Sequence, residues 1–471
     1  MGDERFDVVV VGAGLSGITT ALLAAKLGRR VALVESRSRP GGVTRSYVRG
    51  GVDCPVGVHY FGAAGRGELL DCVWKALGLD VPLQPMGVGG PLSIIHLPEG
   101  VFELPVGFEA LEATLNAWAP RETGAVRSVI ESLQVAAEPL KLARPRAAGH
   151  PAVQPALDTL REAGCSQRLI SALSVPEAWL GMRLADCPSV AFEMALASYM
   201  LSSWRLGCSG AQLVDQCVER FAELGGELVV GDGVERLLLA DGRAVGVELA
   251  SGRRLGASVV VMSVHPKRVV QMFPPDAGLA PLDQKISSLP ESAAATMGFA
   301  LVDSTQTPPR PHNTYVFGER ERTWFQVRST SRPGRSLLCV VAVDEVHRWN
   351  DWAQTRIGER GEDYLAAKHR RAEQMLTVIR QVTPVGSVEW LDVLSPLSFR
   401  DWVSGWDGSL YGIARGGLML AGLNRCGVPG LRFVGQSLMA PGVVGVTFGA
   451  LRVVGDIVGR HAVAKLLEES S

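Results

Sequence analysis

Several patterns that would assign a function class on their own are missing from this 471-residue sequence. No HExxH or HxxxH motif and no cluster of carboxylates marks a metal site, and no GxSxG elbow marks a serine hydrolase. A membrane-spanning helix needs about 20 consecutive uncharged apolar residues, and the sequence contains no such run. The formal net charge is −1, which offers nucleic acid no basic surface. We therefore expect no metal ion and no nucleic-acid partner.

The cysteines also lack a pattern. The eight of them are scattered, and no pair has the CxxC spacing of a zinc or redox site. Reduced, mostly buried thiols are the expected state, and the first residues, MGDERFD, show no secretory or targeting signal. These features predict a cytoplasmic protein. The excess of Arg over Lys, with many Ala and Gly residues, suggests a bacterial source.

The sequence is rich in apolar residues. Hydrophobic residues make up 47% of the chain and charged residues 20%, so a large core is expected. Single cores rarely grow beyond about 250–300 residues, so the length predicts more than one folding unit. The mean hydropathy of +0.16 is high for a chain without a membrane span. It favours a lipophilic ligand in a cavity or peripheral contact with a membrane, and it leaves the oligomeric state unknown.

The clearest motif lies near the N-terminus, in VVVVGAGLSGITTALLAAKLGRRVALVE. An apolar strand at Phe6–Val11, a helix at Leu15–Leu27 and a second strand at Val31–Glu35 form a predicted βαβ unit. Between the first strand and the helix stands GxGxxG, the fingerprint of a dinucleotide-binding turn. This order of strand, glycine turn and helix predicts a Rossmann-like α/β domain.

Each residue of this turn has a physical reason. Gly12 permits the tight turn, Gly14 lets the backbone approach a diphosphate, and Gly17 lets helix and strand pack closely. The helix N-terminus offers free N–H groups and a positive dipole end to the phosphates. Glu35, at the end of the second strand, would accept hydrogen bonds from ribose hydroxyls and repel a 2′-phosphate. FAD or NAD is therefore favoured over NADP.

A second glycine pair follows in SRSRPGGVTRSY, residues 36 to 47. Simple NAD dehydrogenases do not need one at this place. Gly41 and Gly42, followed by Arg45, suit a loop that folds back over a longer, flavin-bearing dinucleotide; the alternative is a surface turn. No second GxGxxG occurs in the chain, so a separate NAD(P)H domain is not expected.

Three stretches together resemble the FAD-dependent amine oxidase and phytoene desaturase superfamily: GAGLSG, ESRSRPGG and the closing FVGQSLMAPGVVGVTFGALRVVGDIV. Within it, GVHYFG at 57–62 and SPLSFRDWVSGWDGSLYG at 395–412 look most like the all-trans-retinol saturase and carotenoid desaturase/isomerase branch. The resemblance implies an α/β, two-domain flavoprotein, with a glutathione-reductase-type FAD domain and a mixed, largely helical substrate domain. The FAD domain would comprise residues 1–104, 206–300 and 385–471, and the substrate domain residues 105–205 and 301–384.

The resemblance also carries over cofactor contacts. The first glycine turn would hold the diphosphate, and a C-terminal helix would turn its N–H groups toward a reduced, anionic flavin. That helix would span 446–458, after a glycine-rich turn at 440–445. The residues implied to bind FAD are Gly12, Ala13, Gly14, Ser16, Gly17, Glu35, Ser36, Arg37, Gly41, Gly42, Arg45, Gly57, Val58, Val234, Gly435, Gln436, Val443, Val444, Gly445 and Val446.

Two positions depart from the family pattern. Related desaturases usually carry an aromatic–Pro–x–Gly–Gly stretch where this chain has WRLGCSG, at 204–210. Many flavoproteins of the wider group have Asp after Gly435, where this chain has Gln436, which forms hydrogen bonds but carries no charge. Approach of the substrate beside WRLGCSG therefore need not follow the family.

Three residues are candidates for catalysis. His59 and Tyr60, in GVHYFG, would form an acid–base or substrate-orienting pair beside the flavin, or would be packed loop residues. Tyr411, in GSLYGI, would line the cavity or belong to the core. The apolar stretch at 189–204 would line a lipophilic tunnel, touch a membrane or form a core helix, with the core helix preferred.

These features lead to one main prediction and two alternatives. The main one is FAD-dependent hydride transfer between flavin N5 and an apolar, polyunsaturated substrate. Desaturation, saturation and double-bond isomerisation all use this step, in bacterial secondary, isoprenoid or polyene metabolism. The first alternative is an amine or imine oxidase that uses O2. The second is a flavin-binding carrier or scaffold without catalysis.

Overall fold

The computed structural model describes residues 4–141, 154–275, 278–318, 322–414, 427–438 and 440–470. The strands are β1 (Glu4–Val11), β2 (Val31–Glu35), β3 (Tyr47–Arg49), β4 (Val52–Cys54), β5 (Phe61–Gly62), β6 (Leu83–Pro85), β7 (Ser93–Leu97), β8 (Gly100–Leu104), β9 (Ser203–Leu206), β10 (Glu227–Val230), β11 (Val234–Ala240), β12 (Arg243–Leu249), β13 (Arg254–Met262), β14 (Ala294–Asp303), β15 (Asn313–Phe317), β16 (Arg322–Ser329), β17 (Arg335–Asp344), β18 (Val388–Leu394) and β19 (Leu431–Phe433). The helices are α1 (Leu15–Lys26), α2 (Leu69–Leu77), α3 (Phe108–Trp118), α4 (Thr123–Lys141), α5 (Ala156–Glu162), α6 (Gln167–Ala172), α7 (Pro176–Leu180), α8 (Ser189–Leu201), α9 (Gly210–Glu223), α10 (Pro266–Val270), α11 (Ala280–Ser287), α12 (Gly361–Arg380), α13 (Pro396–Val403), α14 (Gly442–Val458) and α15 (Arg460–Glu468).

The βαβ unit expected from the N-terminal motif is present. Strand β1 runs between β2 and β13, parallel to both, and β10 lies parallel to β2. The apolar run Val8–Val10 is fully buried, as a central parallel strand requires. The strand order β10-β2-β1-β13-β12-β11 gives a Rossmann-like sheet with an antiparallel part at one side. The carboxyl ends of its parallel strands open a crevice, where sheets of this kind bind ligands.

Strand β13 shares one edge between two partners. Its first residues pair with β12, and Val260–Met262 pair with β19 from the C-terminal part of the chain. Since β19 runs parallel to β13, it delivers the residues after Phe433 to the same crevice as the N-terminal glycine turn. Helix α14 then packs against α1, and both belong to one hydrophobic core.

Helix α14 begins at Gly442 rather than at residue 446, so the glycine-rich turn is shorter than the sequence suggested. Gly442 has a φ of 78°, a left-handed value that favours glycine. The first residue of α14 therefore has a backbone conformation that glycine adopts without strain.

A second seven-stranded sheet has the order β18-β14-β17-β16-β15-β7-β8, and only its β15–β7 pair is parallel. Helix α12 packs on one face, where Met375 and Ile379 share a core with Val340. Helices α3 to α8 share the core of the other face. The predicted substrate domain comprises residues 105–205 and 301–384. Strands β7 and β8 precede residue 105 and β18 follows residue 384, so a domain that contains this whole sheet would extend beyond those limits. The boundaries themselves stay a prediction.

The apolar stretch at 189–204 forms helix α8 up to Leu201 and then enters strand β9, and α8 is a core helix with one residue on the cavity. Phe192, Leu196 and Met200 are buried in the core of the second sheet, and Tyr199 lines the cavity described below. In the described part of the chain, no helix has both the length and the apolar character to cross a membrane. The seven cysteines there are free thiols, and Cys426 lies outside it.

Candidate active site

A cavity of about 1310 Å³ extends from the Gly12 turn of the first sheet to Tyr315 of the second. Both sheets, the segment 36–60 and the start of α14 contribute to its wall. Pockets for one small ligand usually measure about 300–1,000 Å³, so this space suits a dinucleotide together with a second ligand. The two ends of the cavity differ in chemistry and are described in turn.

The first end is formed by two glycine loops that lie side by side. The N–H of Gly41 donates to the carbonyl of Ala13 over 2.7 Å. Gly14 and Gly41 are paired in an isolated parallel β-bridge. Gly12 has a φ of 98° and Gly41 a φ of 120°, values at which other residues are strained. A Cβ atom added to Gly14 would meet no protein atom within 4 Å. The backbone at Gly14 is therefore open to close approach by a ligand.

Gly17 has the opposite surroundings. A Cβ atom at this position would lie 1.9 Å from the carbonyl oxygen of Gly12. Only glycine allows α1 to pack so closely on the turn after β1. The lack of a side chain at Gly14 therefore allows a ligand to approach the backbone. At Gly17 it allows α1 to pack against the turn after β1.

Glu35 links the two loops to the end of β2. One carboxylate oxygen accepts the N–H of Ala13 at 2.9 Å, and the other accepts the N–H of Arg37 at 2.9 Å. The hydroxyl of Ser36 donates to the second oxygen at 3.3 Å. These bonds fix the carboxylate on the cavity wall, and its remaining lone pairs can accept hydrogen bonds from a ligand.

Buried hydroxyl groups without partners mark this end as a polar binding site. Ser16 and Ser263 both line the cavity, and among the described residues neither hydroxyl oxygen has a hydrogen-bond partner. Buried polar atoms are normally satisfied, so these two hydroxyls indicate a ligand with polar atoms. Neither α1 nor α14 has an acidic residue in its first turn, so both N-termini favour an anion.

Two arginines at this end are held by the protein itself. Arg45 donates to the carbonyl of Pro40 over 2.8 Å and pairs with the carboxylate of Asp215, on α9, over 2.5 Å. Arg37 donates to the backbone carbonyl of Asp401. Both side chains line the cavity, so their charge is fixed in position beside its polar end.

The other end of the cavity is walled by aromatic rings. The indole N–H of Trp179 lies 2.5 Å from the hydroxyl of Tyr60 and 2.8 Å from that of Tyr315, and the two hydroxyls bond each other. The ring of Tyr199 packs against Trp179 with centroids 4.2 Å apart. Tyr411 donates to the carbonyl of Ala178 over 3.3 Å. Burial raises the pKa of Tyr60 and Tyr315 above the usual range and that of Tyr411 to about 12, so these phenols stay protonated.

His59 lies beside this end in an unusual state. Its ring packs on Trp324 with centroids 4.6 Å apart, and neither ring nitrogen has a hydrogen-bond partner among the described residues. Burial, with smaller contributions from Arg328 and Arg205, lowers the pKa of His59 to about 3. The imidazole is therefore neutral at physiological pH.

The carboxylates on the cavity wall are all engaged within the described part of the chain. Asp392 accepts the hydroxyl of Tyr47 at 3.0 Å and lies 3.5 Å from Arg49. Asp53 accepts the hydroxyl of Ser46 at 2.5 Å. With Glu35 these are the acidic residues of the wall. Asp392 is paired with a cationic side chain, whereas the donors given above for Glu35 and Asp53 are neutral N–H and O–H groups.

Known proteins share this architecture. The family model described as an NAD(P)-binding Rossmann-like domain matches residues 10–77. The all-trans-retinol 13,14-reductase of Danio rerio is 23% identical over 97% of this chain and 87% of its own. The hydroxyneurosporene desaturase of Rubrivivax gelatinosus is 30% identical over 72% of this chain and 68% of its own.

The chain belongs to the FAD-dependent phytoene desaturase and amine oxidase superfamily. Putrescine oxidase bound to putrescine, at 17% identity, has the same fold: the TM-score is 0.64 over 98% of this chain and 100% of the oxidase. This chain has retinol reductases and carotenoid desaturases among its relatives. The chain is therefore an FAD-dependent oxidoreductase.

The residues of this flavoprotein fit FAD on three observations made above. The backbone at Gly14 is open, Ser16 and Ser263 present unpaired hydroxyls, and Glu35 is fixed at the end of β2. The Gly12–Gly17 turn would hold the diphosphate and Glu35 the adenosine ribose. Gly435, with a φ of 126° and no atom within 4 Å of an added Cβ, would allow the same close approach on the other side.

The structure brings most residues predicted from the sequence onto one cavity wall. This holds for all three catalytic candidates, His59, Tyr60 and Tyr411. The cofactor candidates on the wall are Gly12, Gly14, Ser16, Glu35, Ser36, Arg37, Gly42, Arg45, Gly57, Val58, Val234, Gly435, Gln436, Val443 and Val446. Their contacts with FAD remain proposals. The side-chain amide of Gln436 donates to the carbonyl of Leu410 over 3.1 Å, which ties it to the segment beside Tyr411.

The remaining candidates, Ala13, Gly17, Gly41, Val444 and Gly445, are not among the residues that line the cavity. Ala13, Gly17 and Gly41 support the wall through the contacts given above. Gly445 does not face the cavity: a Cβ atom there would lie 2.2 Å from the carbonyl oxygen of Ala440. A side chain at 445 would therefore disturb the turn before α14 instead of reaching the flavin.

Sequence reasoning missed most of the aromatic end. Trp179, Tyr199 and Tyr315 come from two helices and a strand, far apart in the chain, and no local motif surrounds them. Ser263 and His265 were also missed as wall residues; His265 lies 3.1 Å from Glu291. Only the parallel register of β1 and β13, which brings Ser263 beside the Gly12 turn, could have indicated Ser263.

Proposed function

We propose that this flavoprotein transfers a hydride between flavin N5 and an apolar, polyunsaturated substrate, and so desaturates, saturates or isomerises carbon–carbon double bonds in bacterial polyene metabolism. The observation that carries the proposal is the aromatic end of the cavity. An apolar chain that binds against these aromatic rings desolvates no charged group of its own, so its binding avoids that cost in free energy. The names of the relatives support it, since they act on retinol and on hydroxyneurosporene.

Bound FAD supplies the redox chemistry, because its N5 accepts or returns a hydride. The work of the protein is to hold the reacting carbon in place and to exclude water. Tyr60, Trp179 and Tyr199 would close the wall around the substrate. Val443 lines the cavity in the first turn of α14, and the free N–H groups of that turn would stabilise negative charge on the cofactor.

The catalytic candidates receive different roles. Tyr60 and Tyr411 are protonated phenols on the wall and would orient the substrate or donate a hydrogen bond. His59 is neutral at physiological pH because burial lowers its pKa to about 3. It would therefore act as a neutral packing or hydrogen-bonding group, and not as an imidazolium acid.

An amine or imine oxidase is the second candidate, because putrescine oxidase has the same fold. The cavity favours it less. A protonated amine needs a carboxylate or a comparable partner when it is buried. On the wall, Glu35 lies at the cofactor end and Asp392 is already paired with Arg49. A carrier without catalysis would need no access from the substrate to the flavin.

Anaerobic spectroscopy of the FAD-loaded protein separates these functions. Oxidised and dithionite-reduced samples are mixed with a polyene alcohol, a polyene hydrocarbon or a diamine, and flavin absorbance is followed. We expect a polyene to bleach the oxidised flavin or to restore the absorbance of the reduced one. A change in flavin absorbance with the diamine alone would establish the amine oxidase. No change with any compound would favour a flavin-binding carrier without catalysis.

A cytoplasmic location with peripheral membrane contact is part of the proposal. Trp402 and Val48 are both 62% exposed and both line the cavity, so its opening carries apolar side chains. Trp and apolar residues at such a site favour a lipid interface. Vesicle flotation tests this: W402S and V48S should weaken binding, whereas V88S should not, since Val88 is 77% exposed but not on the cavity. Equal flotation of all variants would contradict it.

A further inference from the structure

Three polar groups meet at the aromatic end of the cavity: the hydroxyls of Tyr60 and Tyr315 and the indole N–H of Trp179. We call them the phenol–indole cluster. All three residues line the cavity, and the indole nitrogen lies 2.5 Å and 2.8 Å from the two phenol oxygens. The phenol oxygens also bond each other. No further hydrogen bond joins these atoms to another described residue.

The cluster has one hydrogen more than it can use. It contains three donors, since indole N–H and each phenol O–H provide one hydrogen. The indole hydrogen is directed at the two phenol oxygens, and one phenol hydrogen is used between them. The second phenol hydrogen has no acceptor within the cluster. A buried donor without an acceptor is costly, and no described residue supplies one, so this O–H suits an acceptor atom on a ligand.

The surroundings restrict what that partner is. Tyr199 and Trp324 cover the cluster with apolar ring surface: the centroid of Tyr60 lies 5.3 Å from that of Tyr199 and 6.2 Å from that of Trp324. The other two phenols of this end already donate to backbone carbonyls, Tyr199 to that of Tyr60 and Tyr411 to that of Ala178. The partner must therefore be an acceptor atom carried by an otherwise apolar molecule. An ammonium group has no lone pair and does not qualify.

We propose that the phenol–indole cluster recognises an oxygen atom, of a hydroxyl or a carbonyl group, on the apolar substrate. This inference rests on the proposed function and narrows its substrate class from polyenes in general to polyenes that bear oxygen. A pure hydrocarbon would leave the phenol hydrogen unpaired in the occupied cavity. The cluster thus discriminates between substrates of the same chain length by a single polar group.

Equilibrium dialysis with the FAD-loaded protein tests this without relying on turnover. Four probes of one chain length are compared: a polyene alcohol, its aldehyde, the hydrocarbon and the primary amine. Since a neutral hydrogen bond contributes about 0.5–1.5 kcal/mol, the alcohol or the aldehyde should bind about 2- to 13-fold more tightly than the hydrocarbon. Whichever of the two binds more tightly identifies the oxygen group.

The variants are Y60F, Y315F and the double Y60F/Y315F, with Y364F as the matched control. Tyr364 is a buried phenol bonded to Ser395 and is not on the cavity wall. The double variant should lose the preference for oxygen while it still binds the hydrocarbon, and one single variant should show which phenol faces the ligand. Thermal unfolding checks that each variant is folded, and the single variants serve if the double one is not.

The outcomes separate this inference from the proposed function. Equal binding of alcohol, aldehyde and hydrocarbon by the wild type would overturn the inference, and so would a preference that survives in all three variants. Tightest binding of the amine would overturn it as well. Oxygen-selective binding without any change in flavin absorbance would refute the proposed redox function and leave the recognition site standing.

Discussion

The two ends of the cavity are built from different materials. The cofactor end consists of backbone: glycine turns at 12–17 and 41–42, helix N-termini, and one carboxylate that holds them together. The aromatic end consists of side chains, from Tyr60, Trp179, Tyr199, Tyr315 and Tyr411, on separate segments. Backbone sites depend on local sequence, and side-chain sites depend on how distant segments pack. The same molecule therefore has one end defined by backbone geometry, which suits a dinucleotide, and one end defined by the side chains that the fold brings together.

The largest effect is expected where the cofactor end is structural. In G17A the new Cβ atom would lie 1.9 Å from the carbonyl oxygen of Gly12, which forces α1 away from the turn. We expect a loss of about 3–5 kcal/mol in the free energy of unfolding, and little soluble protein. Thermal unfolding of purified G17A measures this. Wild-type stability would show that the close packing of α1 is unimportant.

The next effect concerns the aromatic end and acid pH. His59 has a pKa of about 3 in the folded protein against 6.5 for a free histidine, so the unfolded chain binds the extra proton first. The contribution of the neutral His59 to stability is therefore complete above pH 6.5 and falls as the pH drops toward 3, by up to about 1.4 kcal/mol per pH unit. In H59Q the stability should depend less on pH, as measured by melting curves between about pH 4 and pH 7. The folded and unfolded pKa values of His59 set this window.

The exposed His347 provides the control for this experiment. Its side chain is 72% exposed, in an ion pair with the exposed Glu345, so H347Q should leave the slope unchanged. Identical slopes in the wild type and H59Q would mean that the imidazole is not held neutral by burial.

A medium effect should separate binding from folding at the cofactor end. A Cβ atom at Gly14 meets no protein atom within 4 Å, so G14A should fold like the wild type. The methyl group would stand where the diphosphate approaches, and FAD should bind at least about tenfold more weakly, or 1.4 kcal/mol. Flavin content and a fluorescence titration of the apoprotein measure this. Normal affinity in G14A would place the diphosphate elsewhere.

The smallest effect concerns the charge fixed beside the cofactor end. Asp215 pairs with Arg45 over 2.5 Å, but its side chain is 57% exposed. Exposed ion pairs contribute about 0–1 kcal/mol, so D215N should change melting temperature and FAD affinity only slightly. Arg45 would keep its bond to the carbonyl of Pro40. A loss of FAD as large as that in G14A would show that Asp215 is essential for positioning the arginine.

The comparison of the two ends also explains what the sequence could predict. The βαβ unit and the glycine loops are encoded in contiguous residues with known backbone demands. The return of the C-terminal segment to the cofactor end was predicted from the family resemblance, since it depends on the pairing of β19 with the distant β13. The seven-stranded second sheet was not predicted, because β7, β8 and β18 join it from distant positions. Pairing between such strands depends on tertiary packing rather than on local pattern.

The same reason limited prediction of the site. Tyr60 and Tyr411 were found because their loops resemble a family, whereas Trp179 and Tyr315 sit in a short helix and a strand with no motif around them. Gly445 shows what a motif leaves open: its contact with FAD stays a prediction, and the structure shows that a Cβ atom there would meet Ala440. A motif indicates that glycine is needed, and only the fold shows which neighbour requires it.

A structure of the protein with FAD and a polyene alcohol tests the central claim most directly, that one cavity holds the cofactor at its backbone end and the substrate at its aromatic end. The account predicts the diphosphate at the Gly12–Gly17 turn, the flavin ring between the start of α14 and Tyr60, and the alcohol oxygen within hydrogen-bond distance of Tyr60 or Tyr315. A polyene bound outside this cavity, or a flavin ring that fills the aromatic end, would contradict it.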